Sequence, residues 1–201
     1  MSQPNVWIID HRDSFTWNLA ELVRTTGMAV PLVMAADDSR LEQAVTGKAP
    51  LILSPGPGTV HDACHRPTFR LLDKLPPNVP VLGVCLGHQI LGVHAGAELE
   101  QLTEPRHGCR ATMYKREPSP LLEGLPGAFQ AGLYHSWRLA HTPWPDELAV
   151  AAVDAEGHIM SIRHRRLPRF GIQFHPESIL TPEGGLIMRN FLHMARKRNA
   201  C

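Results

Sequence analysis

Short branched apolar runs separated by amphipathic stretches recur along the chain, and this alternation predicts strands and helices in turn. Val6 to Asp10 reads as the first strand. Asp13 or Ser14 caps a helix to about Thr26 that Gly27 terminates, and Ala29 to Met34 reads as the second strand. Leu51 to Ser54 is the third and Val81 to Val84 the fourth, followed by a helix from Leu86 to about Ala95. Ala97 to about Arg116 reads as less regular, antiparallel structure. Later strands fall near Leu148-Ala149-Val150, Ile159 to Ile162 and Phe170 to Phe174. A last helix from about Glu183 to Arg196 places Ile187, Phe191 and Met194 on one docking face. The expected fold class is α/β: an open, mostly parallel twisted sheet with helices on both faces. Pro-rich patches at Leu75-Pro76-Pro77 and Thr142 to Pro145 read as loops. With no linker, repeat or low-complexity segment, residues 1–201 are expected to form a single domain.

Composition changes this picture little. At 201 residues and 43% apolar content the chain can bury one sizeable core, and a second full domain is not expected. A formal net charge of +1 gives no electrostatic case for nucleic acid or an anionic membrane. The basic clusters Arg163 to Arg166 and Arg196 to Arg198 read as a hairpin turn and a solvated helix end. Cysteines at 64, 85, 109 and 201 form no Cys-x-x-Cys pair. His61 and His65, four residues apart around Cys64, read as solvent-facing groups near a loop, so no metal site is expected. The N-terminus lacks a charged-then-apolar signal pattern, and no apolar run reaches the ~18 residues of a membrane span. A reducing cytoplasm fits, and it would keep a thiol usable.

The thiol that matters is Cys85, in Gly83-Val84-Cys85-Leu86-Gly87-His88-Gln89. A strand that turns abruptly into a helix strains its corner residue, and glycines two positions to either side permit close approach. The corner side chain then stands at the carboxyl edge of the sheet. The helix start beside it favours a thiolate and offers an amide to an oxyanion. A base is available in His175-Pro176-Glu177. Residues two apart on an extended segment face the same way, so Glu177 can hold the His175 ring in one tautomer and stabilise imidazolium, while Pro176 stiffens the pair. A third stretch, Ser54-Pro55-Gly56-Pro57-Gly58, is a rigid loop with bare amides, where the Gly58 amide could act with that of Leu86 as an oxyanion hole.

These three stretches resemble the class I, triad-type glutamine amidotransferases, and the resemblance runs over nearly the whole chain. It implies a flavodoxin-like α/β domain and a Cys85, His175, Glu177 triad. Cys85 would attack the side-chain amide of L-glutamine, His175 would shuttle the proton, and ammonia would pass to a partner. The resemblance also implies that glutamine is held by Gly56, Pro57 and Gly58 backbone, by the Gln89 side chain, and by backbone at Ser136 and Trp137. Gln89 lies one helical turn past Cys85 on the same face, which suits that role. His88 reads as packing at the helix start.

The opening Ile8 to Leu19, the glycine loop, Tyr134-His135-Ser136 and the run His175 to Thr181 look like the chorismate-aminating branch. That branch comprises the glutaminase components of anthranilate and aminodeoxychorismate synthases. The implied partner is a chorismate-aminating large subunit. No cofactor is implied on this chain, and any Mg²⁺ is expected on the synthase. An amidotransferase subunit for another acceptor, a non-catalytic subunit with the same fold, and a cysteine hydrolase of γ-glutamyl conjugates or peptides are the competing readings. Several positions depart from the family pattern: His11 where Asn is usual, Leu133 and Trp137 around Tyr134-His135-Ser136, Thr59 to Ala63 beyond the glycine loop, and Cys109 after Gly108.

Overall fold

The computed structural model describes residues 3–41 and 49–199. Cys201 and the side chains at 197 and 198, part of the basic helix end, lie outside the described residues. The strands are β1 (Asn5–Asp10), β2 (Val30–Ala35), β3 (Leu51–Leu53), β4 (Val81–Val84), β5 (Leu99–Lys115), β6 (Ala128–Leu139), β7 (Leu148–Val153), β8 (Ile159–His164) and β9 (Arg169–Ile172). The principal helices are α1 (Phe15–Thr25), α2 (Arg66–Lys74), α3 (Leu86–His94) and α4 (Gly184–Asn199). The nine strands among the described residues form one sheet in the order β2-β1-β3-β4-β9-β8-β7-β5-β6. The five from β2 to β9 are parallel, and from β9 onward every pairing is antiparallel.

Parallel strands need long crossovers, and these supply helices to both faces. Leu19 and Val23 of α1 and Ile187, Phe191 and Leu192 of α4 pack with Val6, Ile8, Leu82 and Val84 on one face. Leu71 and Leu72 of α2 and Leu86 and Ile90 of α3 pack with Ile9, Leu51, Leu53 and Val81 on the other. Each fully buried Leu or Ile contributes about 1.5–3 kcal/mol, so the apolar runs that announce the strands also hold the helices against them.

The structure differs from the sequence reading in two places that matter for the site. The segment expected to be irregular is a continuous 17-residue strand, β5, whose register slips between Gln101 and Arg106 and again between His107 and Cys109. Its partner β6 is absent from the pattern-based expectation, because Gly132, His135 and Ser136 dilute the apolar alternation of Phe129, Ala131 and Leu133. The buried Asp154 carboxylate holds the first slip by accepting from Arg106 Nη1 at 2.9 Å and His158 Nδ1 at 3.0 Å.

The start of α1 uses one of the two expected caps. Ser14 makes no side-chain cap; instead Asp13 Oδ1 accepts from the Phe15 amide at 2.8 Å. Asp10 Oδ1 gathers the Arg12 amide at 2.8 Å and the Thr16 hydroxyl at 2.7 Å. This turn aims the Phe15 ring at the carboxyl end of the sheet.

Candidate active site

At the end of β4 the chain enters α3 through Cys85, whose backbone lies at φ 52°, ψ −103°. That is the left-handed region, which costs a residue with a Cβ about 1–3 kcal/mol and persists only where surroundings impose it. Here the Cys85 amide donates to the Ile172 carbonyl of β9 at 2.9 Å, and the turn is pressed flat against the helix. A Cβ at Gly83 would lie 2.3 Å from the Gly87 carbonyl oxygen. Gly83→Ala is therefore expected to cost about 3 kcal/mol and lower Tm by about 6–12 °C. A thermal transition within about 2 °C of the parent would show that the elbow can relax.

Three residues beyond β9, His175 is placed by β6 rather than by its own strand. Its amide donates to the Gly132 carbonyl at 3.0 Å. The Thr181 hydroxyl donates to the His175 carbonyl at 2.6 Å while accepting the Gly132 amide at 2.9 Å. The imidazole is walled by Phe15 and Tyr134, each with its ring centroid 4.9 Å away. Nδ1 meets Glu177 Oε1 at 2.7 Å, and both side chains are almost wholly buried. A carboxylate only accepts, so Nδ1 carries a proton and Nε2 is the atom left to exchange one.

Burial works against charge on this ring, but a Cys85 thiolate and then the Glu177 carboxylate outweigh it and raise His175 to about 10. Nε2 makes no hydrogen bond of ordinary geometry among the described residues, although the thiolate acts on it strongly. The attraction is decisive for the ring's charge.

Cys85 opens into a hollow of about 220 Å³. Gly56, Pro57, Gly58, Leu86, Gln89, Ser136 and Trp137 line it, together with three residues the sequence reading does not assign there, His107, Tyr134 and His135. His175 and Glu177 do not line it, and the His175 ring packs against Tyr134, which does. Of the larger hollows, those of about 330 and 670 Å³ flank the 164–168 turn at the opposite end of the sheet and contain none of the triad.

The glycine loop is wedged against the elbow: a Cβ at Gly56 would meet Leu86 Cδ2 at 2.4 Å and His11 Cβ at 2.7 Å. Gly58 takes a φ of +76°, and Asp62 Oδ2 accepts the next amide, that of Thr59, at 2.9 Å. As the first residue of α3, Leu86 has an amide without an intrahelical acceptor. His11 supports the loop from below. Burial first, and the neighbouring His65 second, lower it to about 4. The neutral ring bridges the Ser54 carbonyl at 3.2 Å and the Thr68 hydroxyl at 3.1 Å.

On the far wall the Trp137 carbonyl accepts from Gln89 Nε2 at 2.8 Å and His135 Nδ1 at 2.9 Å. Gln89 Nε2 also donates to Gln173 Oε1 at 3.0 Å, and Gln173 Nε2 lies 3.6 Å from Cys85 Sγ. Gln173 is not singled out by the sequence reading. A signal is nevertheless present: a polar residue in an apolar run, two positions before His175 and so directed to the same side. His88 is fully buried against Gly171, and burial, then His135, lowers it to about 3, so it is a neutral packing group.

A strained cysteine, a carboxylate-held imidazolium and a polar pocket for a small amide describe thiol-based amide chemistry. Comparison with known proteins gives the same answer. Residues 7–195 match the family Glutamine amidotransferase class-I. The chain is 38% identical over 190 residues to anthranilate synthase component 2 of Mycobacterium tuberculosis, covering 93% of this chain and 81% of that protein. It is 39% identical over 194 residues to aminodeoxychorismate synthase of Streptomyces griseus, covering 94% of this chain but only 26% of that protein, so it spans about a quarter of that longer relative. Its fold superimposes with a TM-score of 0.89 on a Thermoplasma acidophilum structure described as a GMP synthase subunit, at 22% identity and over 100% and 98% of the two chains. The chain belongs to the class I glutamine amidotransferases.

Proposed function

We propose that this chain is the glutaminase component of a chorismate-aminating synthase, hydrolysing L-glutamine and handing ammonia to a chorismate-binding subunit. The observation that carries the chemistry is the single hollow in which Cys85 meets the Gly56 to Gly58 loop and Gln89. In this reading the Cys85 thiolate attacks the side-chain amide carbon of glutamine. The new C–S bond pushes the carbonyl electrons onto oxygen, and the Gly58 and Leu86 amides stabilise that oxyanion. Imidazolium His175 gives its Nε2 proton to the departing nitrogen, and ammonia leaves a γ-glutamyl thioester. Neutral His175 then takes a proton from water as hydroxide attacks the thioester, releasing glutamate and restoring the thiolate–imidazolium pair. Glu177 keeps Nδ1 protonated throughout, so every transfer runs through Nε2. No step calls for a metal or cofactor on this chain, and any Mg²⁺ belongs with the partner's acceptor chemistry.

Relatives named for anthranilate and aminodeoxychorismate synthesis support the chorismate branch, including those in which the matching segment is one part of a longer synthase. We take residues 1–201 as one catalytic domain. The three described cysteines are free, which suits a reducing cytoplasm, and among the described residues no helix is long and apolar enough to cross a membrane. Affinity purification of the chain from its own cells, followed by product analysis with glutamine and chorismate, tests the assignment. Recovery of a chorismate-binding subunit and formation of anthranilate or aminodeoxychorismate is expected. An unrelated synthetase with a different aminated product would overturn the acceptor while leaving the glutaminase.

A further inference from the structure

We propose that Gln173 is a catalytic residue that donates a side-chain N–H to the Cys85 sulfur, its amide held in the donating orientation by a hydrogen-bond chain that starts at the Trp137 carbonyl in the substrate pocket. The inference deepens the glutaminase reading and rests on it. It follows from which atoms can only accept. Trp137 O is a backbone carbonyl, so the Gln89 atom 2.8 Å from it is the NH₂ group. An NH₂ group has donors only, so the Gln173 atom 3.0 Å from it is the carbonyl oxygen. That leaves the Gln173 NH₂ facing Sγ at 3.6 Å, a normal distance for a sulfur acceptor. Turning the Gln173 amide over would set NH₂ against NH₂ at one end and a carbonyl oxygen against a thiolate at the other.

The Gln173 side chain is fully buried, and its backbone N–H is fixed to the Met160 carbonyl of β8 at 2.9 Å, so water does not substitute for the contact and the backbone does not swing away. A neutral thiol is a weak acceptor and a thiolate a strong one, so this bond favours the nucleophilic form and shares that task with imidazolium His175. The chain of bonds also makes the pocket wall and the nucleophile one unit: Gln89 touches the space for substrate and, through a single intervening amide, the attacking atom.

The test is the rate at which iodoacetamide alkylates Cys85, read by mass spectrometry of the Cys85 peptide across a pH series. Gln173→Glu keeps the length and the acceptor for Gln89 but exchanges the donor for a carboxylate. Gln173→Met keeps the bulk and removes the polar group. Both are expected to move the acid limb of the pH–rate curve to the alkaline side, so that alkylation at a pH on that limb is about tenfold slower, with the shift larger for Glu. A purely structural role would lower the melting temperature and leave that curve in place. If either folded variant gives a pH–rate curve superimposing on the parent's, the proposal is overturned, and each decides alone should the other fail to fold. Alkylation needs neither glutamine nor a synthase, so absence of glutamine turnover would sink the glutaminase reading without producing this result.

Discussion

Cys85→Ser is expected to reduce glutamine hydrolysis by about 10⁴-fold or more, while the assembled synthase continues to use free ammonia at its normal rate. The size follows from what the elbow is for. The left-handed backbone at Cys85, the bond to Ile172 and the flat packing of Gly83 on Gly87 all serve to present one sulfur atom to the hollow. A serine hydroxyl occupies the same place but is far less acidic than a thiol, so it forms no standing anion–imidazolium pair with His175 in a site arranged around a thiolate. Because the replacement is nearly isosteric, the surface seen by a partner should be unchanged. Loss of the ammonia-dependent reaction as well, on a properly assembled complex, would mean that this chain does more than deliver nitrogen. A second readout comes from the base. The Cys85 thiolate is the leading influence raising His175 against its burial, so in Cys85→Ala the His175 ring protons followed by NMR should titrate at lower pH than in the parent. An unchanged titration would place the charge partner elsewhere.

Glu177→Gln is the other change with a large expected effect, about 10³–10⁴-fold in kcat, with little change in the KM for glutamine because Glu177 does not line the hollow. Two losses combine. The carboxylate that helps hold the charge on His175 disappears, and an amide can turn to offer N–H to Nδ1, which leaves a neutral ring with its proton on Nε2, unable to take a proton from the thiol or from water. The pH dependence has a definite sign. His175 is raised from 6.5 to about 10, so the stability its charged form lends the fold is complete below about 6.5 and lost as pH rises through about 10. Imidazolium-dependent turnover should fall over the same alkaline range in the parent. In Glu177→Gln the alkaline limb should move to lower pH, and a variant whose limb stayed in place would show that Glu177 orients the ring without charging it.

Much of the candidate site could be read from the sequence because its parts are local. The elbow needs only a strand, a cysteine and two flanking glycines, and the base with its orienter occupy three consecutive positions. The parallel half of the sheet was legible for a similar reason, since strands covered on both faces appear as unbroken apolar runs such as Leu51 to Leu53 and Val81 to Val84. What the sequence concealed depends on partners distant along the chain. Strand β6 has one face on the core and the other around the hollow, so polar groups interrupt its pattern where it does most for function: Gly132 docks His175, and His135 and Trp137 shape the pocket. Gln173 acquires meaning only when Gln89, 84 residues earlier, comes beside it. His11, a departure from the usual Asn, needed the structure to show that a neutral imidazole satisfies Ser54 and Thr68 together.

The place of β9 between β4 and β8 has a consequence for the life history of the molecule. During synthesis the ribosome releases the nucleophile 88 residues before Gln173, so the elbow of Cys85 emerges while the strand that must accept its amide is still unmade. Until then β4 presents a bare edge, the kind that invites pairing with a neighbouring chain, and its thiol has neither base nor donor. A nascent chain is therefore chemically silent toward glutamine until β9 slots into the middle of the sheet. The late arrival of a central strand makes the competence to release ammonia coincide with completion of the fold, so a partly built chain has no assembled site.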